Sequence, residues 1–258
     1  MIRTVLWFAY FWLFQLASTP FLLAHFLFGL LGRRRAQAAL LERVTRAWAR
    51  QMIAAAGGKV EVAGTENLPR TGGVLLVANH QGAFDIPLLI GYLPGIKGFV
   101  SKKENFRLPL VSSWMRRLGC IVIDRGDLRQ SAGAIARGID ALRAGRTLVI
   151  FPEGTRSKSG RLGLFKEGSF KLATRSGAAV VPLTIDGSWR LLEGNRNRIG
   201  PGTVRLTVHP PLAAGDARDK AALAERVRGI VASALPPGRA AESDSDSVSD
   251  SEMHSIDI

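Results

Sequence analysis

The chain has 258 residues, long enough for one large core, and carries 35 Lys and Arg against 21 Asp and Glu for a formal net charge of +14. Its single cysteine, Cys120, excludes an intrachain disulfide framework and fits a reducing compartment. The charge asks for an anionic counterpart, whether nucleic acid, an anionic bilayer surface or a phosphorylated substrate, and does not choose among them.

From Thr4 to Gly32 no Asp, Glu, Lys or Arg interrupts a run dense in Leu, Phe and Trp. About 20 apolar residues suffice to span a bilayer, so residues 1–35 are expected to be membrane-embedded. Ser18-Thr19-Pro20 sits inside the run, and a proline within a helix breaks or kinks it. The segment therefore reads either as one membrane helix or as a helical hairpin half-immersed in one leaflet. A cleaved signal fits less well, because the run is too long for its apolar core and Arg33-Arg34-Arg35 stands where a small-residue cleavage site belongs. These arginines, with Arg43, Arg46 and Arg50, favour the cytosolic side of a cell (inner) membrane, which leaves the body facing the cytosol.

Residues 36–58 hold an amphipathic helix. Its apolar positions Leu40, Leu41, Val44, Trp48 and Met52 lie between Gln37 and Ala56, and Gly57-Gly58 stops it. Its basic face rests on lipid head groups or simply on solvent. In residues 59–235, apolar runs at Lys59–Ala63, Val74–Ala78, Gly98–Ser101, Cys120–Ile123, Thr147–Phe151, Ala179–Ile185 and Thr203–Val208 read as strands. Helical patterns intervene, such as Ser131–Ala144 with Gly145 placed to end it. Strands alternating with helices predict an α/β fold. Pro182 within the sixth run predicts an edge strand or a bulge. A last helix begins near Asp216, an N-cap, and stops at Pro236-Pro237. Residues 236–258 carry a net charge of −5, which leaves +19 on the rest, and have too few apolar residues to fold, so an acidic disordered tail is expected.

Chemistry concentrates where strands end. After Val74–Ala78 comes Asn79-His80-Gln81-Gly82-Ala83-Phe84-Asp85, in which a histidine and an aspartate five apart in a turn can meet side chain to side chain. His80 is then a general base whose tautomer Asp85 holds. Taken alone, the same pair reads more readily as a turn histidine beside a helix N-cap. Phe151-Pro152-Glu153-Gly154-Thr155-Arg156-Ser157 again follows an apolar strand. Arg156 offers a fork of donors suited to phosphate, Gly154 lets backbone N–H groups approach, and Glu153 can position Arg156 or a substrate hydroxyl. A structural Glu/Arg pair in a turn is the plainer alternative. Ile121-Val122-Ile123-Asp124-Arg125 leads a third strand into a charged pair, and Val181-Pro182-Leu183-Thr184-Ile185 supplies an apolar wall.

These four pieces, in this order, resemble the glycerolipid acyltransferase family, most closely the lysophosphatidate (1-acyl-sn-glycerol-3-phosphate) acyltransferases. The likeness spans roughly Val60 to Val208, and the ordered set is specific although each member alone is not. It implies a mixed β-sheet flanked by helices with the motifs gathered at one side. Gly82, where the family commonly has serine, and Val122, where it commonly has an aromatic residue, depart from the pattern without removing a group the chemistry requires.

The resemblance also implies roles. His80 and Asp85 are the catalytic pair; Lys103, Arg125, Glu153, Gly154, Thr155 and Arg156 bind substrate, with Lys103 chosen over Lys102 as a phosphate contact. The implied reaction transfers a fatty acyl group from acyl-CoA or acyl carrier protein to the sn-2 hydroxyl of 1-acylglycerol-3-phosphate, giving phosphatidic acid for phospholipid biosynthesis. The thioester is a co-substrate, and neither cofactor nor metal is expected, since the four histidines and one cysteine show no ligand spacing. Partners are the bilayer, the lysophospholipid, the acyl thioester and its carrier protein. Cys120 opens an apolar strand and reads as buried and inert rather than as a nucleophile. Another lysolipid acceptor, such as lyso-ornithine lipid, is the alternative within the class. A membrane-tethered nucleic-acid-binding protein is the alternative outside it, and the sequence offers that reading no recognition helix, zinc spacing or basic-aromatic platform.

Overall fold

The computed structural model describes residues 1–124, 126–214 and 220–240. Seven strands form one sheet: β1 (Gly58–Ala63), β2 (Val74–Ala78), β3 (Lys97–Lys102), β4 (Ile121–Ile123), β5 (Thr147–Ile150), β6 (Ala179–Asp186) and β7 (Gly202–Val208). Their spatial order is β1-β7-β6-β2-β5-β3-β4. Every neighbouring pair is parallel except β6 with β7. The sheet is therefore mixed, as expected, and the seven expected strands each appear with ends shifted by a residue or so.

Helices cover both faces. Strand side chains alternate between the faces: Val74, Leu76 and Ala78 join a core with Leu41, Ala49 and Ile53 of α3 (Arg34–Ala55) and Leu88 and Leu89 of α4 (Asp85–Tyr92). Leu75 and Val77 join a second core on the opposite face with Ile139 and Leu142 of α6 (Leu128–Arg143), Leu172 of α7 (Lys171–Ser176) and Val227 and Val231 of α8 (Lys220–Ser233). Burial on both sides is why β2 reads as an unbroken apolar run. Helix α5 (Val111–Leu118) packs Trp114 and Leu118 into the first core. Gly145, at φ +79°, ends α6 as its position suggested.

One expectation is corrected, and one left open is decided. Pro182 marks neither an edge nor a bulge, because β6 lies inside the sheet between β7 and β2. The proline is accommodated where β7 departs: the last β6–β7 pair is Leu183 with Val208, and beyond it the Pro182 carbonyl accepts from the His209 N–H at 3.0 Å, so the missing donor falls at the frayed end of that ladder. The apolar N-terminus forms α1 (Ile2–Ala17) and α2 (Thr19–Leu30), joined at Ser18 in helical backbone geometry. Together they make one apolar stretch, Ile2–Leu30, long enough to cross a membrane. The two do not fold back on each other as a hairpin. Trp7 Nε1 donates to the Met52 carbonyl at 2.9 Å, Tyr10 to Gln51 at 2.5 Å, and Gln37 Nε2 to the His25 carbonyl at 3.0 Å, so α1 and α2 run successively along α3. The opposite side, with Leu6, Trp12, Leu13, Phe21, Leu23 and Phe26, is exposed. The Asp216 cap and the tail from residue 241 lie outside the described residues.

Candidate active site

Parallel pairing of β6, β2, β5, β3 and β4 brings the carboxyl ends of these strands to one side of the sheet, the side on which α/β sheets place their ligands. That is why motifs separated by up to about a hundred residues converge. Asn79, fully buried, ties the turn after β2 to β6, donating from Nδ2 to the Ile185 carbonyl and accepting the Ile185 N–H at Oδ1, both at 2.8 Å.

His80 Nδ1 lies 2.7 Å from Asp85 Oδ2. Asp85 is fully buried, and Oδ2 also accepts the N–H groups of Gln81 at 2.7 Å and Gly82 at 3.0 Å, while Oδ1 accepts the Ser188 hydroxyl. These donors fix the carboxylate in place. It keeps the proton of the imidazole on Nδ1 and leaves Nε2 as the basic nitrogen. The ring stacks on Phe151, with centroids 4.0 Å apart and planes at 16°. Asp85 therefore does more than open α4: the turn, the histidine and Ser188 all close on it.

Glu153 is buried. Its Oε1 accepts the His80 N–H at 2.7 Å and its Oε2 the Gly163 N–H at 3.2 Å. Burial pushes this carboxyl up to about 7, against the pull of those two N–H groups. The expectation that Glu153 positions Arg156 is thus corrected. Arg156 Nη1 instead meets Glu193 Oε1 at 2.9 Å, a residue 37 positions along the chain that motif spacing could not reveal.

A groove of about 520 Å³ opens in front of His80, lined by Gly154, Thr155 and Arg156 and by Lys102, Lys158 and Lys166. Lys103, the expected phosphate contact, pairs its ammonium with Asp124 Oδ2 at 2.6 Å, while Lys102 lines the groove. Successive side chains of a strand point to opposite faces, and Lys102 is the last residue of β3. The Lys103 hydrogen bond holds the Asp124 carboxyl below the usual carboxylate range. Arg125 lies outside the described residues. A second cavity of about 200 Å³, lined by Phe14, Trp48, Ile90, Leu118 and Cys120, shares Ile86, Phe99, Ser101 and Asn105 with the groove. Burial pushes the Cys120 thiol up to about 11, which suits an inert side chain.

Sequence reasoning missed Ser188, Glu193 and Lys158. One signal for Ser188 was present: it follows β6, which is parallel to β2 and ends on the same side, so the rule that drew attention to His80 applies equally to Asp186-Gly187-Ser188.

A His-Asp pair at the carboxyl ends of parallel strands thus faces a cation-lined groove that adjoins an apolar cavity. Residues 59–186 match the family described as Acyltransferase, and the chain belongs to that family. It is 37% identical over 181 residues to a 1-acyl-sn-glycerol-3-phosphate acyltransferase of Chlamydomonas reinhardtii, covering 69% of this chain and 54% of the relative. It is 36% identical over 131 residues to one of Borreliella burgdorferi, covering 50% and 52%. The chain thus spans about half the length of these curated relatives. The crystal structure of the 1-acyl-sn-glycerophosphate acyltransferase of Thermotoga maritima superposes with a TM-score of 0.77 at 29% identity, covering 89% of this chain and 93% of that one.

Proposed function

We propose that this protein transfers a fatty acyl group from a thioester, acyl-CoA or acyl carrier protein, to the sn-2 hydroxyl of 1-acylglycerol-3-phosphate. The observation that carries the reading is His80, held by Asp85 through Nδ1, at the mouth of a groove lined by Lys102, Arg156, Lys158 and Lys166. The relatives' names supply the acceptor. Nε2 of His80 takes the hydroxyl proton as the oxygen attacks the thioester carbon; the C–O bond forms, the C–S bond breaks, and the proton passes to the departing thiolate. Asp85 stabilises the transient imidazolium. Arg156 and the groove lysines hold the phosphate, so binding orients the hydroxyl at the reacting carbon. The apolar cavity beside the groove suits an acyl chain, and no cofactor takes part. The exposed apolar side of α1 and α2 suits a bilayer, with the arginines that open α3 on its cytosolic side and the product entering phospholipid synthesis.

An acceptor panel tests this. Purified protein is given a labelled acyl thioester with lysophosphatidate, lyso-ornithine lipid or monoacylglycerol. Lysophosphatidate is expected to show the highest kcat/KM, and a phosphate-free acceptor exceeding it would overturn the assignment.

A further inference from the structure

Two features beside the site have no part in the proton transfer: Gly82, where the resemblance leads one to expect serine, and the carboxylate of Glu193, from a stretch outside all four motif segments. They are two sides of one contact. A Cβ on Gly82 would lie 2.6 Å from Glu193 Oε2 and 3.2 Å from Trp189 Cα, so the bare glycine is what admits the carboxylate. The Glu193 side chain is 4% exposed. Its Oε1 accepts both the Ala83 N–H at 2.8 Å and Arg156 Nη1 at 2.9 Å, while Oε2 is buried with no hydrogen-bond partner among the described residues.

A carboxylate out of water persists where charge compensates it. Here that charge is Arg156, whose side chain is 44% exposed and reaches into the groove. An exposed arginine otherwise loses rotamer freedom each time it binds an anion. Through Oε1 the guanidinium is pinned to the same turn that carries His80.

We propose that Glu193 is a positioning residue, fixing Arg156 relative to the His80–Asp85 turn so that a phosphate held by the other guanidinium donors arrives with its hydroxyl in reach of His80. The inference rests on Arg156 as the acceptor-phosphate contact. Gly82 is the complementary requirement: the turn carries no side chain there because Glu193 occupies the space.

Steady-state kinetics on the full chain in lipid nanodiscs tests it, with lysophosphatidate varied at saturating acyl thioester. Glu193→Gln keeps an acceptor for the Ala83 N–H but removes the charge from Arg156. KM for lysophosphatidate is expected to rise about tenfold, the scale of one charge-assisted hydrogen bond, with kcat within about threefold of native. In an Arg156→Ala background the same substitution is expected to move KM by less than about twofold. An unmoved KM, or a full rise in the Arg156→Ala background, overturns the role. Should Glu193→Gln accumulate poorly, Gly82→Ser displaces the carboxylate from the other side; the same KM rise, absent in the Arg156→Ala background, is expected, and an unchanged KM overturns the role. Native protein that transfers nothing to lysophosphatidate overturns the acceptor reading itself, whereas native turnover with an unmoved KM in the variants removes only Glu193.

Discussion

Replacing Ser188 by alanine isolates the least obvious support of the catalytic pair. The hydroxyl donates to Asp85 Oδ1, and both residues are fully buried. Removing it leaves one oxygen of a buried carboxylate without that donor, while Oδ2 keeps the Gln81 and Gly82 N–H groups and His80 Nδ1. A hydrogen bond to a charged group is worth about 1.5–3 kcal/mol. If the transition state, in which the imidazole becomes cationic, loses that full amount, kcat falls about 10- to 150-fold, since about 1.4 kcal/mol is tenfold in rate. The binding groove does not include Ser188, so KM for both substrates should hold within about threefold. The assay is acyl transfer from a labelled thioester by purified Ser188→Ala and Ser188→Thr, with the folded fraction checked by thermal melting. Threonine, which keeps the hydroxyl, should recover most of the lost rate. Native kcat in Ser188→Ala, or no recovery with threonine in a folded protein, would refute the reasoning.

Two further outcomes follow from the buried acids and thiol. A carboxyl raised from 4.5 to about 7 on folding, as burial does to Glu153, binds more protons in the native state. Native stability therefore declines as pH rises from about 4.5 through 7, by about 3 kcal/mol in all; urea unfolding from pH 4.5 to 8 should show this component, Glu153→Gln should lack it, and parallel curves would contradict it. Cys120→Ser should keep transfer activity within about threefold, because a buried thiol pushed up to about 11 supplies little thiolate; loss of turnover in folded protein would point instead to an acyl-enzyme.

The strands were legible because each is a short apolar run bounded by turn residues, and their carboxyl ends announced His80, Asp85 and the Phe151–Ser157 segment. Their spatial order was not, since it depends on pairings such as β1 with β7 between residues over 140 apart. Pro182 misled for that reason: composition marks a missing donor but does not say where a neighbouring strand stops. That Lys102 lines the groove while Lys103 meets Asp124 could not be read without the direction of β3 at its last residue. Glu193 could not be foreseen as the partner of Arg156 because it comes from a turn after β6, which only the folded sheet brings alongside. The N-terminal stretch was legible as apolar and long; that its two helices follow α3 rather than fold on each other rests on the contacts of Trp7, Tyr10 and Gln37.

The central claim is that His80 is the base of an acyl transfer, and the measurement closest to it compares native protein with His80→Ala in transfer of a labelled acyl group from its thioester to lysophosphatidate. The account predicts a loss in kcat of at least about a hundredfold in a variant that still melts cooperatively, the scale of a positioned general base. Turnover within about threefold of native would contradict it.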